Sequence, residues 1–305
     1  MKAAPLLAAA VLLAGCAKKP AHARPQIGVT LLTEAHVFYQ DLKKGLQAGA
    51  DSLGMDLHIV AGEWDLARQT SQVENFITQK MDAVIIAPVD TRGIVSAVEE
   101  ANRAGIPVFT VDISSAGGRV TSHIASDNAQ GGRLVGEYLA HVLGGKGDIA
   151  ILDQPTLASV IDRVRGFREA IAKYPGIHIV AAPAVERGLR DVAKNKTDNL
   201  LRSHADLAAI FGSNDDCALG ALASVRAAGK RNLVIVGFDA IPEARSAIAD
   251  GGPLKADAIQ HPGTIGRRAI ETVYRALHGE QVPPLVAVPV GIVDRDSLSR
   301  GASTP

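Results

Sequence analysis

Short apolar runs alternate with longer stretches in which apolar residues recur every third or fourth position. Ile27-Gly-Val-Thr-Leu-Leu32 has the pattern of a strand. Phe38, Leu42, Leu46, Gly49 and Leu53 then fall at helical spacing. Leu57 to Val60 reads as the next strand, and Val73, Phe76 and Ile77 mark the next helix. Runs at 83–88 and 107–112 enclose a helix through Ile94, Val95 and Val98. Gly54 and Gly105 stand where helix C-caps belong. The rhythm restarts with a helix from Gly136 to Val142. It continues through strands at 148–153, 177–180 and 208–212, and helices at 159–173, 190–203, 216–228 and 262–278. Further apolar runs end at Asp239, Gln260 and Val290. Alternation of this length predicts an α/β fold of parallel sheets covered by helices on both faces.

The strands form two sets of similar size. His123 to Asp127 lies between them with no helix before it, as expected of a segment that crosses between domains. The last helix and last strand then rejoin earlier sheets. The expectation is two Rossmann-like lobes joined by a multi-strand hinge over a cleft. One lobe takes residues 27–126 plus 261–289, the other 127–260 plus 290–298.

Asp112, Asn214, Asp239 and Gln260 each stand where an apolar run stops. In an open α/β sheet the carboxyl ends of the strands line the ligand crevice. Four polar groups on four strand ends therefore suggest a pocket for a small hydroxylated molecule. Each also has a plainer reading as a helix cap or loop residue. No nucleophile elbow, paired cysteine motif, His-Glu-x-x-His or phosphate loop accompanies them. The sequence thus argues against an enzyme, a metal site and a resident cofactor. Lys+Arg and Asp+Glu balance at 32 each, which argues against nucleic acid as a partner.

The amino terminus carries an address. Lys2 supplies positive charge, Leu6 to Leu13 an apolar stretch, and Leu13-Ala-Gly-Cys16 closes it. This is too short to span a membrane and has the flanks of a secretory signal. Leu-Ala-Gly-Cys resembles a bacterial lipobox, so residues 1–16 read as a lipoprotein signal peptide with lipid on Cys16, and 17–26 as a tether. The membrane contact is then through lipid alone. Cys217 would be the one remaining thiol, so no internal disulfide forms.

Three stretches together resemble the periplasmic sugar-binding proteins of ABC transporters, ribose-binding type. They are Ser122-His-Ile-Ala-Ser-Asp-Asn128 with Gly131-Gly132, Ser213-Asn-Asp-Asp-Cys-Ala-Leu-Gly-Ala221, and Val236-Gly-Phe-Asp239 with Pro242. The resemblance implies the type I periplasmic binding protein fold and a monomer. It also implies capture of a small polar ligand, a sugar or polyol, and its delivery to an ABC permease, with a chemoreceptor or histidine kinase as the other recipient. In this reading Phe38 and Tyr39 pack on the sugar ring, and Asp112, Asn214, Asp239 and Gln260 bind hydroxyls. His36 takes the place of a binding Asn, and Trp64 stands at the cleft rim.

The departures bear on the ligand. Ile113 stands where the family has an Arg, and a second Arg falls at about Ile161. Ala87 and Leu32 replace polar residues. Asp112 and Asp239 are therefore expected without Arg partners, in a more apolar pocket suited to a polyol, a deoxy or smaller sugar, or a cationic solute. Arg163 or Arg165 refills the pocket if the helix register slips. Glu34 is placed near the mouth.

Overall fold

The computed structural model describes residues 23–300. The first run of elements is β1 (Gln26–Leu31), α1 (Val37–Leu53), β2 (Asp56–Ala61), α2 (Leu66–Thr78), β3 (Ala83–Ile86), α3 (Val95–Arg103), β4 (Val108–Val111) and β5 (Ser122–Ser126). The second is α4 (Asn128–Val142), β6 (Lys146–Leu152), α5 (Ala158–Ile171), β7 (Gly176–Ala181), α6 (Arg190–Ser203), β8 (Leu207–Gly212), α7 (Asp215–Ala227), β9 (Val234–Asp239), α8 (Pro242–Ala249) and β10 (Leu254–Ile259). The chain closes with α9 (Pro262–Leu277), β11 (Leu285–Val288), β12 (Gly291–Asp294) and α10 (Arg295–Ser299).

Two six-stranded sheets result, in the orders β2-β1-β3-β4-β5-β11 and β7-β6-β8-β9-β10-β12. The two orders are the same pattern used twice. All strand pairs are parallel except β10 with β12. Every residue of β3 (Ala-Val-Ile-Ile) and β4 (Val-Phe-Thr-Val) is buried, as central strands covered on both faces require. The edge strand β2 is only partly covered.

Three helix starts carry side-chain caps at polar residues that close the preceding loop or strand. Asp65, Asp127 and Asn214 each accept a backbone N–H at the first turn of α2, α4 and α7. At the other end of α1, Gly54 takes the left-handed conformation (φ 65°) that a C-cap needs.

The chain passes between the sheets three times: from β5 to α4, from β10 to α9, and from β11 to β12. α4 packs on α5, β9 and β10, whereas α9 packs on α1, β4 and β5. Both helix pairs touch through glycine. A Cβ at Gly132 would stand 2.0 Å from the Arg163 carbonyl oxygen, and one at Gly45 would stand 2.2 Å from that of Gly263.

The closing strand expected to run from 285 to 290 is two strands in two sheets. Pro289 between them has no N–H to continue the ladder, and Val290 N donates instead to Gln130 Oε1 at 3.1 Å. α8, begun by Pro242, follows the Gly-Phe-Asp turn and was not read from the sequence. No helix among the described residues is long and apolar enough to cross a membrane.

Candidate functional site

The carboxyl ends of both sheets face a common cavity of about 140 Å³. That is room for on the order of ten water-sized spheres, the scale of a small sugar. Each wall residue follows a strand. Leu32, Thr33, Ala35 and His36 follow β1, Trp64 follows β2, and Asp112 follows β4. From the second sheet come Gln154, Leu157 and Ser159 after β6, Arg187 and Leu189 after β7, and Asn214 and Asp216 after β8. Asp239 stands at the end of β9, and Gln260 follows β10. All eight residues singled out from the sequence (His36, Phe38, Tyr39, Trp64, Asp112, Asn214, Asp239 and Gln260) lie on this one wall.

The backbone is strained where these side chains turn inward. Trp64 (φ 62°), Asp112 (φ 61°), Arg187 (φ 54°) and Asp239 (φ 119°) are non-glycine residues at positive φ. Such conformations cost on the order of 1–3 kcal/mol each and collect at functional sites.

Two carboxylates organise the polar wall. Asp112 is 5% exposed, and its Oδ2 accepts the Tyr39 hydroxyl at 2.6 Å. Its Oδ1 is buried with no donor. Burial pushes the Asp112 carboxyl up to about 6, against the lowering effect of the Arg163 charge and the Tyr39 hydrogen bond. Asp239 Oδ1 accepts Arg163 Nη1 at 3.2 Å and Gln260 Nε2 at 2.6 Å. Gln260 Oε1 is a second buried acceptor without a donor.

His36 faces the same carboxylate from the other sheet. Its Nδ1 accepts Phe38 N at 3.2 Å, so the ring proton sits on Nε2. Nε2 stands 3.9 Å from Asp239 Oδ2 and 3.9 Å from Asp216 Oδ2. Asn214 has two duties: its Oδ1 caps α7 at Cys217 N, 2.8 Å away, and its Nδ2 donates to Gly188 O at 3.3 Å.

The remaining wall is hydrocarbon. Leu32, Phe38, Trp64, Leu157, Val160 and Leu189 surround the polar edge. Phe38 and Tyr39 meet edge to face at 5.2 Å. Aromatic faces beside planar amides and carboxylates suit a ligand with hydroxyls on one edge and C–H surface on the other.

Arg163 corrects the expectation that neither carboxylate has an Arg partner. It is 5% exposed, donates to Asp239, to Asn128 Oδ1 at 2.9 Å and to Ser213 O at 3.0 Å, and lies 4.0 Å over the Phe238 ring. Ile161, where an Arg was expected, is 48% exposed on the outer face of α5. The signal was present in the sequence: Val160, Arg163, Val164 and Phe167 share the buried stripe of that helix.

Arg165 is on the outside, paired with Asp162 and Glu169. Glu34 is exposed and paired with Lys43 at 2.6 Å rather than lining the cavity. Ile113 is buried and off the wall, so the donor missing there is not replaced by an Arg. Asp112 takes its partner from Tyr39 instead. Gln154, Ser159, Arg187 and Asp216 are wall residues that sequence reasoning did not select.

Burial pushes the Cys217 thiol up, so it is a packed, unreactive group. Among the described residues no His, Cys, Asp and Glu cluster has the arrangement of a metal site. Cys16 lies outside the described residues.

The periplasmic binding protein domain matches residues 27–281 of this chain. The chain belongs to that family. The ribose import binding protein of Escherichia coli is 34% identical over 294 residues, covering 96% of this chain and 98% of the relative. Among solved structures, an Actinobacillus succinogenes solute-binding protein with bound D-allose is 28% identical with TM-score 0.84, covering 91% of this chain and 100% of that one. A Bacillus halodurans solute-binding protein with bound myo-inositol is 27% identical with TM-score 0.85, covering 91% and 97%. Members of the family are thus binding proteins of sugar and polyol import, and the two-sheet fold read from the sequence is the family's own.

Proposed function

We propose that this chain is a lipid-anchored, monomeric receptor outside the cytoplasm that captures one neutral sugar or polyol for an ABC importer and performs no chemistry on it. The observation that supports the reading is a cavity lined from opposite sheets by Asp112 and Gln260, each of which keeps a buried side-chain oxygen, Asp112 Oδ1 and Gln260 Oε1, without a donor. A buried acceptor without a donor is costly, and a ligand hydroxyl at each position removes that cost. The ligand is neutral because Arg163, already bonded to Asp239, offsets buried negative charge that would otherwise call for a cation.

The lobes, 27–126 plus 261–289 and 127–260 plus 290–298, move as two bodies about the three crossings. A ligand that bonds to both favours the closed arrangement by its differential affinity. The eight wall residues named above are the contacts. Cys16 carries the lipid.

Thermal unfolding and small-angle scattering with D-ribose, D-allose, xylitol and myo-inositol test this. At a hundredfold excess over Kd a ligand adds about 2.7 kcal/mol. The expected result is a rise of several degrees in Tm and a smaller radius of gyration with at least one of them. No response to any sugar or polyol, or turnover of one, contradicts it.

A further inference from the structure

Behind the cavity wall lie two carboxyls that touch no ligand space. Asp215 opens α7 and Asp257 sits mid-strand in β10; both are 0% exposed. Strand register sets Asp257 opposite Gly237 of β9 and Val293 of β12. Gly237 is required there, since a Cβ would stand 2.4 Å from Asp257 Oδ2. The Asp257 carboxyl thus lies across β9 towards α7.

Each carboxyl holds one backbone group of the same turn. Ile241 N donates to Asp215 Oδ2 at 2.6 Å, and Ala240 N donates to Asp257 Oδ1 at 3.2 Å. That turn joins β9 to α8 and carries the strain: Asp239 has φ 119° and Ala240 has φ 55°. Asp239, which it aims into the cavity, is the carboxylate bonded to Arg163 and Gln260.

The two remaining oxygens, Asp215 Oδ1 and Asp257 Oδ2, have no other donor. As two carboxylates they would repel in a dry interior. A single proton between them satisfies both, with Asp215 as donor and Asp257 as acceptor. Burial, then the neighbouring Asp257 charge, holds the Asp215 carboxyl well above the usual carboxylate range. Burial likewise raises Asp257, and the bond from Asp215 opposes that rise.

Asp239 of β9 and Arg163 of α5 are the charged groups felt by the pair. Arg245 of α8 donates from Nε to Ala240 O at 2.6 Å, on the same turn.

We propose that Asp215 and Asp257 share one proton behind the cavity and together fix the strained turn that aims Asp239 at the ligand. They are positioning residues for ligand capture. Their importance to affinity rests on the receptor reading; the shared proton and the aim of Asp239 do not.

Carboxyl carbon NMR of aspartate-labelled protein without ligand tests this. At mildly alkaline pH the wild type shows a protonated aspartate that is missing from Asp215→Asn. The Asp239 resonance, assigned through Asp239→Asn, is unchanged in Asp215→Asn, whose amide still donates to Asp257, and shifts in Asp215→Ala. If Asp215→Ala does not fold, titration of the wild type decides: loss of the shared proton moves the Asp239 resonance at the same pH.

Aspartates that are all ionised at that pH would overturn the proposal. So would an Asp239 resonance that ignores both Asp215→Ala and the titration. Where a panel sugar binds the wild type, Asp215→Ala weakens it by about tenfold or more, as expected for a misplaced buried carboxylate, while Asp215→Asn does not. Failure of every panel sugar with the wild type removes the receptor reading and leaves the carbon measurement to decide this one.

Discussion

The Tyr39 hydroxyl donates to Asp112 Oδ2 at 2.6 Å, so the carboxylate at the end of β4 is oriented by the first helix. Tyr39 is therefore more than an aromatic face: it supplies the one side-chain donor that Asp112 has among the described residues. Tyr39→Phe keeps the ring and removes the donor. A buried acceptor left unpaired costs about 1–3 kcal/mol. Calorimetric titration of the variant with the ligand of the wild type should show affinity lower by roughly tenfold to a hundredfold at unchanged stoichiometry.

Asp112 also predicts a pH dependence. Burial raises its carboxyl from 3.8 to about 6 in the ligand-free protein. Only the carboxylate accepts ligand hydroxyls at Oδ1 while holding Tyr39. Affinity should therefore fall as pH drops through about 6, approaching tenfold per pH unit below it. Stability runs the other way. The folded state holds this proton more tightly than the unfolded chain. The Asp112 contribution is therefore complete below about 4 and lost as pH rises through about 6. Tyr39→Phe removes a lowering influence and should move the binding midpoint upward. Titrations across that range check both.

Arg163 joins the fold to the site. Its guanidinium bonds Asn128 from α4, Ser213 O and Asp239, and covers Phe238. Arg163→Ala leaves Asp239 without its buried ion partner, a loss of about 3–5 kcal/mol by urea unfolding. Arg163→Lys keeps the charge but lacks the planar fork, so it should recover only part of that stability and little of the affinity.

Gly132 offers a test from outside the cavity. A Cβ there would stand 2.0 Å from Arg163 O, so Gly132→Ala must push α5 away from α4. Overpacking of this kind costs about 1–3 kcal/mol. Because the displaced turn carries Arg163, the variant should lose ligand affinity as well as urea resistance. Loss of stability with full affinity would mean that the α4–α5 contact does not set the site.

The sheets were legible because their strands are short, apolar and regularly spaced by amphipathic helices; β3 and β4 are buried throughout. Site residues at strand ends were legible for the same reason: β-strand geometry carries them to one edge. What stayed hidden was set by long-range packing. On α5 the stripe of Val160, Val164 and Phe167 marks Arg163 rather than Ile161 as buried, but its partner Asp239 lies 76 residues further along the chain. Sequence shows Asp112 beside Ile113 and suggests a missing partner. The partner lies 73 residues earlier in the chain, on another element. The last strand reads from the sequence as unbroken from 285 to 290, although Pro289 cannot continue a ladder. That the second piece runs antiparallel to β10 depends on where the sheet edge lies.

If Asp112, Asp239, Gln260 and their neighbours form one site for a neutral polyhydroxylated ligand, loss of binding should follow from removal of a single wall carboxylate. Isothermal titration of D-ribose, D-allose, xylitol and myo-inositol into wild type and into Asp239→Ala measures it most directly. At least one of these should bind the wild type one to one, and the variant should bind it at least about a hundredfold more weakly. Binding that Asp239→Ala leaves intact, or none with any of the four, would contradict the single site.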